Sequence, residues 1–168
     1  TRITGYLYAG GIVGTNNGGT IQNCHVLDNV DIHIAFNYSH YYGCIAGRNM
    51  GSTGNITNCS SSATLSFRGI VNVSSSSGLG GVVGYLKEGT VSNCLSLNAR
   101  VIRKDIDGTL RELSGVKHCG AVVGQNDRSN GLSNNYYRNF TVGGNEATYG
   151  SGGESSGYDV TSNRGAVR

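Results

Sequence analysis

The chain has 168 residues, among them 28 Gly, 10 Tyr and 5 Cys, with no Pro or Trp, 14% charged side chains and a net charge of +3. Gly is normally about 7% of a globular protein and charged residues about a quarter. So few charges exclude a charge-driven disordered coil, no Lys/Arg-rich run marks a nucleic-acid arm, and no apolar stretch nears the ~18 residues of a membrane-spanning helix.

The length predicts one domain. Residues 1–4 lack a charged segment followed by an apolar one, so no signal peptide is expected within them. From there on, four segments repeat one pattern. The first is Gly10-Gly11-Ile12-Val13-Gly14-Thr15-Asn16 followed by Gly19-Thr20-Ile21-Gln22-Asn23-Cys24. The second is Gly43-Cys44-Ile45-Ala46-Gly47-Arg48-Asn49 with Gly54-Asn55-Ile56-Thr57-Asn58-Cys59. The third is Gly80-Gly81-Val82-Val83-Gly84-Tyr85 with Gly89-Thr90-Val91-Ser92-Asn93-Cys94. The fourth is Gly120-Ala121-Val122-Val123-Gly124-Gln125-Asn126 with Gly131-Leu132-Ser133-Asn134-Asn135.

Each copy holds two short β-branched runs bounded by Gly, Asn and Ser, which predicts strands and turns. A third, alternating run follows in most copies: Val30 to Ile34, Thr64 to Phe67 and Arg100 to Ile102. The best helical candidate, residues 109–116, is short and flanked by Gly108 and Gly115. Strand-only repeats of 33–40 residues predict a solenoid in which each copy buries its face on the next. A propeller would need four strands per blade and a Trp or Asp signature. The expected fold is all-β, a parallel β-helix-like stack of four coils at about residues 8–34, 42–67, 78–102 and 118–142.

Stacking assigns roles to the repeated residues. Ile12, Ile45, Val82 and Val122 are expected to form an inward ladder. Asn23, Asn58, Asn93 and Asn134 are expected to stack at turns, where the side chain bonds backbone groups. Gly14, Gly47, Gly84 and Gly124 serve positive φ or close passage of coils. Cys24, Cys59 and Cys94 fall at one repeat position and would lie about 4.8 Å apart. That spacing suits a disulfide by Cα distance but not by side-chain direction, so a ladder of small buried thiols is expected. Residues 35–42, 70–78 and 103–117 differ in length and composition, as loops on one face of a solenoid do. Residues 143–168, rich in Gly and Ser, are expected to dock on the body or form an interface.

The glycine string followed by Gly-x-Ile-x-Asn-Cys resembles the GLUG-motif repeat family, over about residues 8–159. Asn135 stands where the other copies have Cys, and the second copy adds Cys44 and a longer turn. The resemblance implies a repetitive, non-catalytic module of large microbial surface or secreted proteins, including adhesin-like proteins and the non-catalytic parts of some immunoglobulin A peptidases. It also implies that the chain is similar to the terminal portion of an array.

Chemical readings are fewer. Asn-x-Ser/Thr sequons occur at Asn37, Asn55, Asn58, Asn72 and Asn139, and Asn37, Asn72 and Asn139 lie in or beside variable segments where a glycan fits. Cys44 and Cys119 pair only if loops bring them together, and no Cys-x2-Cys or paired His spacing suggests a metal. His25, Asp28, Asp31 and His33 are the densest titratable group and are expected on a solvated strand face. No acidic pair recurs at matching positions as polysaccharide cleavage requires; Asp105 and Asp107 sit beside Arg103 and Lys104 in a variable segment. No Gly-Lys-Ser/Thr follows a glycine loop, and no Gly-x-Ser-x-Gly marks a nucleophile. Tyr6, Tyr8, Tyr38, Tyr41, Tyr42, Tyr136 and Tyr137 either bind sugars or protein, or cover the ends of the stack.

The expectation is an extracellular, non-enzymatic module without cofactor, either adhesive through its loops or a filament protomer joined through its ends. A polysaccharide-active enzyme is the distant third. Expected partners are copies of itself, flanking domains of a longer chain, or a host or cell-surface glycan or protein; neither nucleic acid nor a membrane span is expected.

Overall fold

The computed structural model describes residues 2–5, 7–34, 41–68, 78–97, 100–104, 110–112, 118–128, 130–137, 140–142 and 145–147. Four coils follow one another, each with five short strands rather than the three runs visible in sequence. The first coil runs through Tyr8–Gly10, Val13–Asn16, Thr20–Gln22, His25–Val26 and Asp31–Ile34. The second runs through Tyr41–Gly43, Ala46–Asn49, Asn55–Thr57, Ser60–Ser61 and Thr64–Arg68. The third uses Gly78–Gly80, Val83–Leu86, Thr90–Ser92, Leu95–Ser96 and Arg100–Lys104, and the fourth His118–Gly120, Val123–Asn126, Leu132–Ser133, Tyr136–Tyr137 and Phe140–Val142.

Each strand pairs in parallel with its counterpart one coil away, giving five sheets along the stack. The fold is therefore an all-β parallel solenoid. Arg2–Gly5 adds one more parallel strand, on Asp31–Ile34. Leu110–Glu112, from the stretch that reads best as helix, instead pairs antiparallel with Arg100–Lys104, and Asn145–Ala147 pairs antiparallel with Phe140–Val142. The proposed docking of the remaining tail, residues 148–168, lies outside the described residues.

The corner asparagines fix the path of the coil. Asn23, Asn58, Asn93 and Asn134 have φ of 56°, 52°, 52° and 51° and are the positive-φ non-Gly residues among those described. This left-handed conformation costs most L-residues about 1–2 kcal/mol and costs Asn least. Their side chains are exposed, so the residue type is held by the backbone and not, as expected, by side-chain bonding at the turn. Their amides tie the corner to the next coil, with Asn23, Asn58 and Asn93 donating to the carbonyls of Thr57, Ser92 and Ser133.

The bend after the first strand is equally regular. The Ile45 carbonyl accepts from the amides of Ile12 and Val13, the Val82 carbonyl from Ile45 and Ala46, and the Val122 carbonyl from Val82 and Val83. Gly14, Gly47, Gly84 and Gly124 lie in the second strand and serve close passage rather than positive φ. A methyl on Gly84 would overlap the Tyr42 nitrogen and the Gly47 carbonyl oxygen, both backbone atoms. The first and second sheets thus approach to a distance only glycine permits.

Inside, in-register rows build the core. Val13, Ala46, Val83 and Val123 form one row; Ile21, Ile56, Val91 and Leu132 form another. Of the expected row Ile12, Ile45, Val82 and Val122, the last three are fully buried, but Ile12 is 48% exposed because it belongs to the end coil. Tyr42 and Tyr137 are core residues rather than surface ones. Ser61 and Ser96 are also buried, directly below Val26 and above Tyr137 in their row.

A buried amide row that the sequence reading passed over runs beside them. Asn16 Nδ2 donates to Asn49 Oδ1 (2.8 Å) and to the Gly19 carbonyl (2.7 Å), while Asn49 Nδ2 donates to the carbonyls of Gly54 and Glu88 (both 3.0 Å). The third coil interrupts the row with Leu86, in register with Asn49 and Asn126. Asn126 Nδ2 is consequently buried without a partner.

Asn49→Ala, which strands both neighbours' groups, is expected to lower stability by about 2–4 kcal/mol. Asn126→Leu removes the unpartnered Nδ2 beside Leu86 but also the bond that Oδ1 accepts from the Arg128 amide (3.0 Å), so it should stay within about 1 kcal/mol of the parent. Urea unfolding of the two variants against the parent checks the contrast. Gly84→Ala is expected to cost more than ~3 kcal/mol or to prevent folding, because backbone cannot yield as a side chain does.

Candidate interaction surface

Three features on the described surface hold chemistry: an aromatic column, a thiol row, and the corner where the variable segments leave the stack. The column starts from the outward residues of the first strand. Tyr8 and Tyr41 are in register, with ring centres 6.0 Å apart and planes 11° apart. The third coil has Gly78 at this position. Tyr85 from its second strand fills the space instead, 4.3 Å from the Tyr41 ring. The Arg48 guanidinium lies 3.7 Å from the Tyr8 ring centre and its Nε donates to Thr15 Oγ1 (2.9 Å). At the far end the Tyr85 hydroxyl donates to Asp127 Oδ2 (2.5 Å), and Gln125 Nε2 donates to Asp127 Oδ1 (3.3 Å). Burial, then the Asp127 carboxylate, push the Tyr85 hydroxyl well above its ordinary range, and burial raises that of Tyr41.

Both faces of Tyr41 are used by its neighbours, so this column cannot take a sugar ring face-on there. Its chemistry is mutual stacking and cation–π contact, each worth roughly 0.5–1.5 kcal/mol. Tyr136, 50% exposed, is the large aromatic that remains open. Tyr6 and Tyr38 lie outside the described residues.

Cys24, Cys59 and Cys94 follow the corner asparagines on successive coils and are free thiols. Each donates to the carbonyl two residues back, Gln22 (3.3 Å), Thr57 (3.2 Å) and Ser92 (3.2 Å). Cys59 and Cys94 are buried and Cys24 is half-buried, as a row of small core residues requires. In the fourth coil Asn135 replaces the thiol: its Oδ1 accepts from the Cys94 amide (2.9 Å) and its Nδ2 donates to the Val91 carbonyl (2.9 Å). The hydrogen bond with Cys94, reinforced by Cys24, pulls the Cys59 thiol down to about 6, against the cost of burial. The same Cys59 bond and burial push Cys94 up, and burial chiefly raises Cys24. One charge is thus favoured in the row, on its middle member, with thiols above and below.

The remaining candidates separate. Asp31 faces Arg2 at 3.4 Å, His33 is buried rather than solvated, and His25 Nδ1 meets Ser60 Oγ at 2.7 Å. His25, Asp28, Asp31 and His33 form no metal-holding group, and none is found among the described residues. Cys44 is buried in the bend of the second coil, two residues past Tyr42, whose row leads through Leu79 to Cys119 two coils on, so the two cysteines stand on different coils. Asn37, Asn72, Asn139, Asp105 and Asp107 lie outside the described residues. Asn55 and Asn58 are exposed in and beside the third strand of the second coil.

The three variable segments share one corner. Each connects the fifth strand of one coil to the first strand of the next: 35–40 between Ile34 and Tyr41, 69–77 between Arg68 and Gly78, and 105–117 between Lys104 and His118. The bend between first and second strands, by contrast, is two residues in every coil.

Geometry and sequence meet in the class of molecule. Parallel coils, glycine-permitted sheet contact and a left-handed Asn before each Cys define a β-solenoid of short sequence repeats. The family model of the GLUG motif matches residues 5–31, from the end of Arg2–Gly5 through the first four strands of the first coil to the start of its fifth. The other three coils repeat its structure strand for strand, and the match supports a GLUG-repeat family for the stack. No curated protein and no solved structure matches the chain.

The thiol row gives a pH signature. Cys59 titrates near 6 when folded, against an ordinary 9.0, so it adds stability that is complete above about pH 9 and lost as pH falls through 6. Cys94 and Cys24, shifted upward, favour the folded state below their ordinary value and lose that contribution as pH rises above it. The urea midpoint should therefore rise between pH 6 and 9 and fall beyond. In Cys59→Ser the rise should flatten.

Proposed function

We propose that the chain is a non-enzymatic structural and adhesion module of a microbial cell-surface or secreted protein, a stiff solenoid that presents variable segments along one edge. The observation that carries this reading is the shared corner. All three variable segments depart between the fifth and first sheets, while the strands around the rest of the coil keep one register and the other turns differ by no more than two residues. Long variable segments gathered at one edge of a rigid stack are the arrangement that surface recognition uses. Placement outside the cell is supported by the GLUG motif, a repeat of surface and secreted proteins. The described carboxylates Asp28, Asp31, Glu88 and Asp127 occupy unrelated positions in their coils, which supports a role other than two-carboxylate hydrolysis.

The filament reading has one observation on its side, the half-exposed Ile12 at the first coil. It requires two bare ends, however, and the corresponding Val122 of the fourth coil is fully buried. Presentation of the edge is the better-supported function.

Replacing residues 35–40 and 69–77 by Gly/Ser segments of equal length tests it. Binding to immobilised glycans and extracellular-matrix proteins should fall at least tenfold while the circular dichroism and urea midpoint stay those of the parent. Unchanged binding to every ligand the parent takes would remove the adhesive role from this edge.

A further inference from the structure

The contact between coils occurs three times in the stack, and the first coil carries the upper half of that contact uncovered. Ile12 is 48% exposed where Ile45, Val82 and Val122 are at 0%. Val13 and Ile21 are only partly buried, while Ala46, Val83 and Val123 in the first row and Ile56 and Val91 in the second are at 0%. The other end differs: Ala121, Val122 and Val123 are at 0% and Leu132 at 4%. Among the described residues the stack is bare at one end only.

Two details say what fits there. Four sheets end on the first coil, but the fifth continues upward into Arg2–Gly5, which pairs with Asp31–Ile34 from above as Thr64–Arg68 does from below. Arg2–Gly5 thus holds the place of the fifth strand of another coil. The amide row is also open. Asn49 Oδ1 receives Asn16 Nδ2, whereas Asn16 Oδ1 receives only the Gly19 amide (3.0 Å), leaving it room for one more donor.

We propose that the bare face of the first coil seats one further coil of the same repeat, running parallel and formed by four strands that lead into Arg2–Gly5, with an asparagine above Asn16. A second copy of this chain is the poorer occupant. Parallel stacking would need its fourth coil bare, and head-to-head contact would reverse strand direction and bring no matching amide to Asn16. The inference rests on the stacking alone and stands whatever the variable edge binds.

The test uses the full chain with a copy of residues 41–62 placed ahead of Thr1, so that Arg2 takes the position Thr64 has in the second coil. Hydrogen exchange is followed at 8–10, 13–16, 20–22 and 25–26, and size by sedimentation velocity. Exchange of these segments should slow by at least about tenfold, the scale of protection that a newly covered edge strand gains, with both proteins monomeric. An added coil with Leu in place of the copied Asn49 should protect about fivefold less, as loss of one hydrogen bond predicts. A Gly/Ser segment of equal length should change nothing. Unaltered exchange with the added coil, equal protection from the Leu version, or a parent that already sediments as a dimer with these segments protected would each overturn the proposal.

Discussion

In-register parallel stacking sets the terms for every other feature, because it makes each residue the neighbour of its own counterpart one rung away. A side chain is acceptable only if it tolerates a copy or near-copy of itself at about 4.8 Å. Aliphatic groups, amides, thiols and aromatic rings satisfy that condition by packing, by serial hydrogen bonds and by stacking. Charges do not. Two like charges at that distance repel by about 1 kcal/mol in water and several-fold more near a protein surface. The 14% charged content is the compositional trace of this constraint. In the rows of the first three coils some charges are diluted, Arg48 standing between Thr15 and Tyr85 and Asp31 between Arg2 and Thr64; the fifth sheet is the exception, with Arg68 in register with Lys104 and Arg103 with Arg111.

The same condition explains why the departures between copies are correlated. Gly78 removes a tyrosine from the first sheet, and Tyr85 returns one from the second, so the column stays continuous although its register position changes. Asn135 removes a thiol but supplies both an acceptor for Cys94 and a donor for Val91. Leu86 is the exception. It replaces an amide with an aliphatic side chain, and the resulting unpartnered Asn126 nitrogen shows what an uncompensated change does in such a row.

Much of this was legible in sequence. The 35-residue spacing of Cys24, Cys59 and Cys94 gave the coil, the parallel register and the thiol row. The repeated Asn before each Cys marked the corner, although its reason is backbone conformation and not a side-chain bond. Less legible were the two-residue strands such as His25–Val26 and Ser60–Ser61, too short to show any alternation. The buried amide row was hidden for a different reason: Asn16, Asn49 and Asn126 look like loop residues until the fold shows them facing inward. Nor does a repeat pattern distinguish an end coil from a middle one, so Ile12 reads as buried while its burial depends on a neighbour above. Tyr85 could not be assigned to the column from its own copy, since its partners come from two other coils.

The single corner that carries all three variable segments has a thermodynamic consequence. Every segment closes the same gap, from the fifth sheet of one coil to the first sheet one rung down, whether it has six residues (35–40), nine (69–77) or thirteen (105–117, with the paired strand Leu110–Glu112 inside it). Closing a fixed gap with a longer chain costs only about 0.6 kcal/mol of entropy per doubling of length. Elsewhere the tolerance is smaller: the turn between the second and third strands has three residues in the first and third coils (17–19, 87–89) and five in the second (50–54) with the following row still in register, whereas an extra residue within a strand would shift its row. The solenoid is thus nearly indifferent to length at one edge and accommodates only a residue or two at other turns, so long insertions can accumulate along a line parallel to the stack axis.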